Sequence, residues 1–254
     1  MNDLIDYRLA SSGTTIDVVN TELWLLTTNI PEGGLTLQKK SEIEYLELLP
    51  EQYSVVAISS GTACAVTGDV YYKKIDFRSL AKLQAFIDSS KRSAQIFTPG
   101  ISWAALPVDK DFDITSKALE YWFIRMSVES NNDFMRFSSV LKNTEWYQLV
   151  YFLLEMSNLD SNEKLSDMSA RYGVSVSHFR RLCRTALGNS TKVELRDWRL
   201  SRAIVELMGE KKNITEIAMK HGYSSLSHFS NEVKTEFGVS PRELKKNLTR
   251  KVIR

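Results

Sequence analysis

Four polar side chains recur at helical spacing within one short stretch of the sequence. They are Ser177, Arg180, Arg181 and Arg184. Side chains three or four residues apart project from one side of a helix. Arginine carries a planar fork of N–H donors that matches a phosphate or a guanine edge, and serine makes single hydrogen bonds. The apolar residues of the stretch fall on the opposite face: Phe179, Leu182, Cys183, Ala186 and Leu187. We expect a helix that packs on one side and binds an anionic ligand on the other.

The elements that position this polar face are two helices joined by a tight turn. The pattern of "LSDMSARY" predicts a short helix from Leu165 to Tyr172, and Gly173 supplies the turn. The helix with the polar face follows directly. A short helix, a glycine turn and a second helix with a polar outer face is typical of a helix-turn-helix unit, whose second helix enters the major groove of DNA.

The same arrangement occurs a second time in the chain. Gly173 aligns with Gly222 at an offset of 49 residues, and Phe179 aligns with Phe229 at an offset of 50. The pattern of this second helix-turn-helix unit predicts a buried stripe of Phe229, Val233 and Phe237. Its outer face carries Leu226, Ser227, Ser230, Asn231 and Lys234. Serine and asparagine contact base edges or phosphates, lysine contacts mainly phosphates, and leucine contacts a thymine methyl group.

Local signals mark where the helices around the second unit begin. Asn213 with Glu216 three residues later, and Ser240 with Glu243, are capping-box patterns, and Pro241 suits a first helical position. Between the two units no helix breaker occurs from residue 191 to residue 208. Eighteen helical residues span about 27 Å. Adjacent major-groove segments lie about 34 Å apart, so one chain is expected to reach both.

Composition and charge divide the chain into two parts. A chain of 254 residues with 43% apolar and 25% charged side chains is long enough for two globular domains. Residues 1–159 contain 14 basic and 20 acidic side chains, a net charge of −6, whereas residues 160–254 contain 19 and 11, a net charge of +8. The basic part predicts a polyanionic partner, with nucleic acid as the first candidate.

Cysteine usage and hydropathy bear on where the protein works. Cys64 and Cys183 are far apart and form no metal-type spacing, so both are predicted to be reduced core residues. No uncharged apolar run reaches the length of a membrane span, and the N-terminus carries acids rather than a leader pattern. We therefore expect a cytoplasmic protein that does not associate with membranes.

The pattern of the acidic part, residues 1–159, predicts β-strands followed by helices. Seven short β-branched or aromatic segments between residues 15 and 77 are separated by turn signals such as "PEGG". Helices are predicted over residues 78–91, 115–130 and 134–157, with a break near Pro99 and Gly100. Residues 146–156 are apolar nearly all round, which favours the core; a subunit interface in a homodimer is the alternative. The polar stretch 157–164 is predicted to be a linker.

The predicted fold class is therefore α+β. Residues 1–159 would form a β-rich, barrel-like domain with helices, serving regulation, dimerisation or coactivator binding. Residues 160–254 would form an all-α domain of two helix-turn-helix units joined by a long helix.

The stretches "WRLSRAIVEL" and "ITEIAMKHGYSSLSHFSNEVKTEFGVSPREL" resemble the DNA-binding domain of AraC-type transcription regulators over residues 160–248. With "YGVSVSHFRRLCRTALG" and "FSSVLKNTEWYQLVYFLLEMS", the chain is most similar to the InvF/MxiE-type activators of type III secretion genes. The resemblance implies a cytoplasmic activator of virulence effector or translocator genes that binds promoter DNA and works with RNA polymerase. It also implies a coactivator, a secretion chaperone that binds the regulator after its cargo has been exported.

The resemblance also implies roles for the outer-face residues. Ser177, Arg180 and Arg181 would read bases from the first unit, and Arg184 and Lys234 would contact phosphates. In the second unit, base contacts would come from Leu226, Ser227, Ser230 and Asn231. Many members of the family carry arginine at the position of Asn231, so the second unit is expected to read fewer bases. No ligand-binding residues transfer onto the N-terminal part.

Two other functions make different demands on the sequence. A metal-dependent barrel enzyme with a DNA-binding appendage needs clustered histidines and carboxylates, but His178, His221 and His228 all lie in the C-terminal part. The sequence also lacks a phosphate-binding glycine motif and a nucleophile elbow, so we expect no catalytic residues, cofactor or metal. An AraC-type regulator that responds to a small-molecule effector stays open.

Overall fold

The architecture comes from a computed structural model that describes residues 7–91, 101–129, 131–159, 164–188, 190–209 and 213–251. The chain divides into two compact units, a first unit of Met1–Tyr151 and a second unit of Phe152–Arg254. The predicted α+β fold is confirmed, because strands occur in the first unit and the described elements of the second unit are helices. The break predicted at Pro99 and Gly100 lies outside the described residues.

The first unit contains two antiparallel sheets. Its strands are β1 (Arg8–Ala10), β2 (Thr15–Val18), β3 (Glu22–Thr28), β4 (Gly33–Lys39), β5 (Glu42–Leu48), β6 (Tyr53–Ile58), β7 (Thr62–Thr67), β8 (Val70–Ile75) and β9 (Trp103–Val108). One sheet has the order β1-β8-β3-β6-β9 and the other β2-β7-β4-β5. All seven strand segments predicted between residues 15 and 77 are strands in the structure.

The apolar strands β3 and β6 are explained by burial on both faces. Trp24 and Val56 point into the core between the two sheets, where Leu37 and Cys64 meet them from the other side. Their neighbours in sequence contact a second core on the opposite face, together with residues of the helices. A strand covered on both faces reads as a continuous apolar run rather than an alternating one.

The helices of the first unit form that second core. They are α1 (Arg78–Lys91), α2 (Ser116–Glu129) and α3 (Asn132–Lys142), and α4 (Glu145–Leu159) follows. The single helix predicted over residues 134–157 is wrong, because the chain breaks between α3 and α4. Asn143 ends α3, and the Thr144 hydroxyl accepts a hydrogen bond from the Tyr147 N–H at 3.3 Å, which caps α4.

The apolar segment 146–156 lies within α4. Leu153 is fully buried, and Tyr147 donates a hydrogen bond to the Asp88 carboxylate at 2.8 Å. These residues are core residues of their own chain, so the alternative of a subunit interface through Leu153 is not supported. The predicted linker 157–164 begins as the last turn of α4, and residues 160–163 lie outside the described residues.

The second unit contains two helix-turn-helix arrangements. After α4 follow α5 (Leu165–Tyr172), α6 (Val176–Leu187), α7 (Thr191–Gly209), α8 (Ile214–Lys220), α9 (Leu226–Phe237) and α10 (Pro241–Lys251). The helix predicted from Leu165 to Tyr172 is confirmed at both ends, and the predicted connecting helix corresponds to α7. Gly173 ends α5 with a φ of 82°, a left-handed conformation that glycine adopts without a steric penalty.

The capping signals are also found in the structure. Ser240 and Glu243 form a reciprocal box: the Ser240 N–H donates to the Glu243 carboxylate at 3.0 Å, and the Glu243 N–H donates back to the Ser240 hydroxyl at 3.3 Å. Asn213 caps α8, although it accepts from the Thr215 N–H at 3.1 Å rather than from Glu216. Within the described part of the chain, every helix is too short or too polar to cross a membrane.

Candidate nucleic-acid interface

Helix α6 exposes the polar residues that its sequence predicts for the outer face. Ser177, Arg180, Arg181 and Arg184 are all exposed. The helix begins at Ser175, whose hydroxyl accepts a hydrogen bond from the His178 N–H at 3.3 Å, and it ends at Gly188 with a φ of 79°. These two caps fix the length of the helix, and therefore which side chains leave its outer face.

The inner face of α6 is held by an aromatic cluster. Phe179 is fully buried and lies 5.5 Å from the Tyr172 ring and 6.1 Å from the Phe152 ring, measured between ring centroids. Leu182, Cys183 and Leu187 are buried on the same face. Aromatic contacts of this kind fix the rotation of a helix about its axis. The cluster therefore keeps the arginines directed toward solvent.

Helix α9 repeats the construction. The Ser225 hydroxyl accepts a hydrogen bond from the His228 N–H at 3.1 Å, and Gly238 ends the helix with a φ of 73°. Phe229 is fully buried, 4.9 Å from the Tyr223 ring. Of the five outer-face residues, Leu226, Ser227, Asn231 and Lys234 are exposed, and Ser230 is half-buried.

One residue of the predicted buried stripe of α9 lies elsewhere. Phe237 is 45% exposed, so its assignment to the core is wrong. The apolar core of the second helix-turn-helix unit takes in Phe229 and Val233 and ends one turn before Phe237. The last turn of α9 is thus held by its glycine cap rather than by core packing.

A carboxylate on the inner side of α9 joins this helix to α7. Glu232 lies 3.9 Å from the Arg199 guanidinium and 3.8 Å from the His228 ring, and its side chain is only 14% exposed. The Tyr223 hydroxyl donates to the same carboxylate at 3.4 Å, and Arg199 stacks over the Tyr223 ring at 4.8 Å. Burial, reinforced by the charge of Glu232, raises the pKa of Tyr223 to about 12, so this hydroxyl remains a donor.

A second charged contact joins α8 to α7. Glu206 lies 2.8 Å from the His221 ring nitrogen and 2.8 Å from the Lys220 ammonium group. Burial lowers the pKa of His221, and the hydrogen bond to Glu206 opposes that shift only in part. Both helices of the second helix-turn-helix unit, α8 and α9, are therefore attached to α7 through a carboxylate.

The two helix-turn-helix units and α7 enclose a cleft of about 1330 Å³. Its basic lining residues are Lys164, Arg180, Arg184, Lys192, Arg196 and Arg199. Glu232 is the acidic side chain among the lining residues, and His228 lies beside it. The cleft brings together two residues from the predicted site, Arg180 and Arg184. Ser177, Arg181 and the five outer-face residues of α9 lie outside its lining.

Three residues of this cleft were missed in the sequence. Lys192, Arg196 and Arg199 stand on one face of α7, because they follow each other at intervals of four and three residues. That spacing is visible in the sequence and would have singled out a basic face.

Among the described residues, no group of three or more histidine, cysteine, aspartate or glutamate side chains is placed to hold a metal ion. Cys64 and Cys183 are both free and fully buried, and burial raises the pKa of each thiol, to about 12 for Cys64. A thiol that stays protonated is a poor nucleophile and a poor metal ligand.

The chain is similar to several known proteins. A family described as a helix-turn-helix domain matches residues 168–247. The invasion protein InvF of Salmonella typhimurium is 35% identical over 197 residues, covering 77% of this chain and 90% of that protein. The transcriptional regulator MxiE of Shigella flexneri is 37% identical over 130 residues, covering 51% and 62%. Among solved structures, ToxT of Vibrio cholerae covers 96% of both chains at 12% identity with a TM-score of 0.36.

Two capped helices with polar outer faces, at equivalent positions of a duplicated helix-turn-helix, define a DNA-binding transcription regulator rather than an enzyme. Because 90% of InvF is matched at 35% identity, the chain belongs to the AraC-type transcription regulators, in the subgroup that contains InvF and MxiE.

Proposed function

We propose that this protein activates type III secretion genes by binding their promoters through α6 and α9. The observation that carries the proposal is the repeated construction of these two helices, each capped by a serine, packed on a buried phenylalanine and ended by a glycine. The connecting helix α7 has 19 residues, a length of about 28 Å. This length suits two recognition helices that enter successive major-groove segments about 34 Å apart.

The relatives support the choice of target genes. Their names describe an invasion protein and a transcriptional regulator, and a more distant relative in Yersinia enterocolitica is named as a virulence regulon transcriptional activator. We assign this protein the same task in the cytoplasm, where promoter DNA and RNA polymerase are present.

The two recognition helices divide the work. In the proposed complex, Ser177, Arg180 and Arg181 read base edges, because arginine pairs bidentately with guanine. Arg184 and Lys234 bind phosphates. Leu226, Ser227, Ser230 and Asn231 of α9 make weaker base contacts. Helix α9 therefore contributes more to positioning on the DNA backbone and to contact with RNA polymerase than to sequence preference.

The proposal includes a protein coactivator, a type III secretion chaperone. Support comes from the similarity to InvF and MxiE and from an exposed apolar face on α2 in the first unit. Tyr121, Ile124 and Val128 are 73%, 46% and 80% exposed and lie three or four residues apart. Exposed apolar patches of this kind are typical of protein-binding surfaces. Pairing of two copies of this chain through α2 is the competing explanation.

The experiment is a pull-down of fragmented DNA from the source organism by the full-length protein, with and without co-purified secretion chaperones. We expect enrichment of a few promoters that share two short elements about one helical turn apart. We also expect stronger enrichment when a chaperone is present. Sedimentation of the protein alone and with the chaperone shows whether the protein pairs with itself or with the chaperone.

Two outcomes would overturn parts of the proposal. Enrichment that is indifferent to every chaperone contradicts the coactivator and directs the search to a small-molecule effector. Binding without any sequence preference contradicts the promoter-specific function altogether.

A further inference from the structure

The cleft in the second unit contains positive charge that the protein itself does not neutralise. The side chains of Lys164, Arg180, Arg184 and Lys192 have no hydrogen-bond or ion-pair partner among the described residues. By contrast, Lys220 of the same unit is paired with Glu206. Unpaired cations that share one concave surface raise the local concentration of anions. The cleft is therefore suited to an anionic ligand that comes from outside the chain.

Helix α7 supplies part of this charge from the side that faces the cleft. Lys192 and Arg196 are both exposed, lie one helical turn apart and line the cleft, whereas Arg199 on the same face is 14% exposed and lies against Glu232. Arg202, one turn further, donates to the Ser157 hydroxyl at 2.9 Å. Of these four basic residues, the first two are thus available for an external ligand and the last two serve structural contacts.

The exposed arginine is not free, but its ion pair is weak. Arg196 donates to the adjacent Asp197 carboxylate at 3.0 Å, and the two side chains are 50% and 49% exposed. Exposed pairs contribute little to stability, because water screens the charges. The Glu232 carboxylate lies 4.0 Å from the Arg196 guanidinium and is shared with Arg199. A phosphate that enters the cleft competes readily with Asp197 for this guanidinium group.

The position of α7 identifies the ligand. Two recognition helices in successive major-groove segments of one DNA face leave a single minor groove between them, bordered by the phosphates of both strands. Helix α7 connects the two units across that interval. A basic face at this place meets the sugar-phosphate backbone, which carries one negative charge per about 1.7 Å of duplex.

We infer that α7 is a third DNA-binding element, in which Lys192 and Arg196 bind backbone phosphates beside the minor groove between the two half-elements. The inference rests on the proposed function of α6 and α9. It adds that the connecting helix contributes affinity without contributing sequence preference, since phosphate contacts carry no base information.

The test measures affinity against salt concentration for the full-length protein. The probes are a duplex containing an enriched promoter and a shuffled duplex of the same length and composition. Neutralising one phosphate contributes a slope of about 0.9 in log affinity against log salt. We expect Lys192→Gln to lower the slope by about 1 and the affinity roughly eightfold at 0.1 M salt, equally on both duplexes. We expect a smaller loss for Arg196→Gln, because Asp197 already competes for that side chain.

A variant that is expected to gain affinity distinguishes a lost contact from misfolding, because misfolding lowers affinity. Asp197→Asn removes the competitor of Arg196 and leaves the exposed surface otherwise intact, so it should raise affinity for both duplexes. Matched controls change the same charge outside the cleft: Lys246→Gln on α10 for the two losses, and Glu216→Gln on α8 for the gain. Both control side chains are exposed, and neither lines the cleft.

The outcomes separate this inference from the proposed function. Variants with the salt slope of their controls contradict the phosphate-binding role of α7, even when the wild-type protein prefers the promoter duplex. A wild-type protein that binds both duplexes equally contradicts promoter recognition, while the slopes of the variants still decide the role of α7. Loss on the promoter duplex alone would assign Lys192 to base readout and would also overturn the inference.

Discussion

The three arginines of α6 leave one helix but face different surroundings. Arg180 and Arg184 line the cleft, whereas Arg181 lies outside its lining. None of the three has an ion-pair partner among the described residues, so each guanidinium group is available to DNA. A base contact produces a preference between sequences, and a phosphate contact produces affinity alone. Substituting one arginine at a time therefore distinguishes base readout from phosphate binding.

Arg181 is expected to read a base. Replacement by alanine removes a bidentate donor without disturbing the buried face of α6, because the side chain is exposed. We predict a loss of about 1–3 kcal/mol in binding to an enriched promoter, with relaxed preference at one base position. Competition binding against promoters that vary at single positions measures both quantities.

Arg184→Ala is the matched control for this prediction. It should weaken binding to all duplexes by the same factor, since its proposed partner is a phosphate. An Arg181→Ala protein that keeps the full sequence preference of the wild type would remove this residue from base readout.

Among the elements, the recognition helices depend on their first turn. Ser225 satisfies the His228 N–H, one of the backbone donors that a helix leaves unpaired at its start. We predict that Ser225→Ala lowers the free energy of unfolding by about 1 kcal/mol. Chemical denaturation of the full-length protein, followed by a signal from the second unit, measures the change.

Ser227→Ala serves as the comparison for the cap. This serine is exposed within the first turn of α9 and makes no capping bond, and alanine favours the helix. Its stability should match or slightly exceed that of the wild type. Equal effects of the two substitutions would mean that the cap at Ser225 contributes nothing to α9.

The helices of the second unit were predictable because each boundary carries its own local signal. Gly173, Gly188 and Gly238 end three helices in the left-handed conformation, and Ser240 with Glu243 begins another. Signals of this kind act within four residues, so they can be found without knowledge of the fold. The outer-face residues followed from the same helical spacing.

The errors occurred where tertiary structure decides the outcome. β9 was not predicted; it contains Pro107, which is tolerated there because β9 is an edge strand. The break between α3 and α4 depends on one threonine cap in an otherwise apolar run. Phe237 has the right spacing for burial but lies beyond the core that would cover it. The cleft combines residues from five helices, and no single stretch of sequence contains it.

On the scale of the whole molecule, charge follows the division of the chain. Residues 1–159 carry a net charge of −6 and residues 160–254 a net charge of +8. Attraction to DNA is consequently a property of the second unit, and a regulatory partner that binds the first unit meets an acidic surface. A net charge of +2 for the chain hides both properties.

The two buried cysteines give the chain a built-in pair of reporters. Cys64 lies in the first unit and Cys183 in the second, and both are fully buried, so a thiol reagent reaches each only when its own unit opens. We predict that promoter DNA slows alkylation of Cys183 and leaves Cys64 unchanged, because a ligand stabilises the unit that it binds. A coactivator that docks on the first unit should do the reverse. Mass spectrometry of timed samples would thus show which unit each partner stabilises. Rapid alkylation of the native protein would contradict the burial of both thiols.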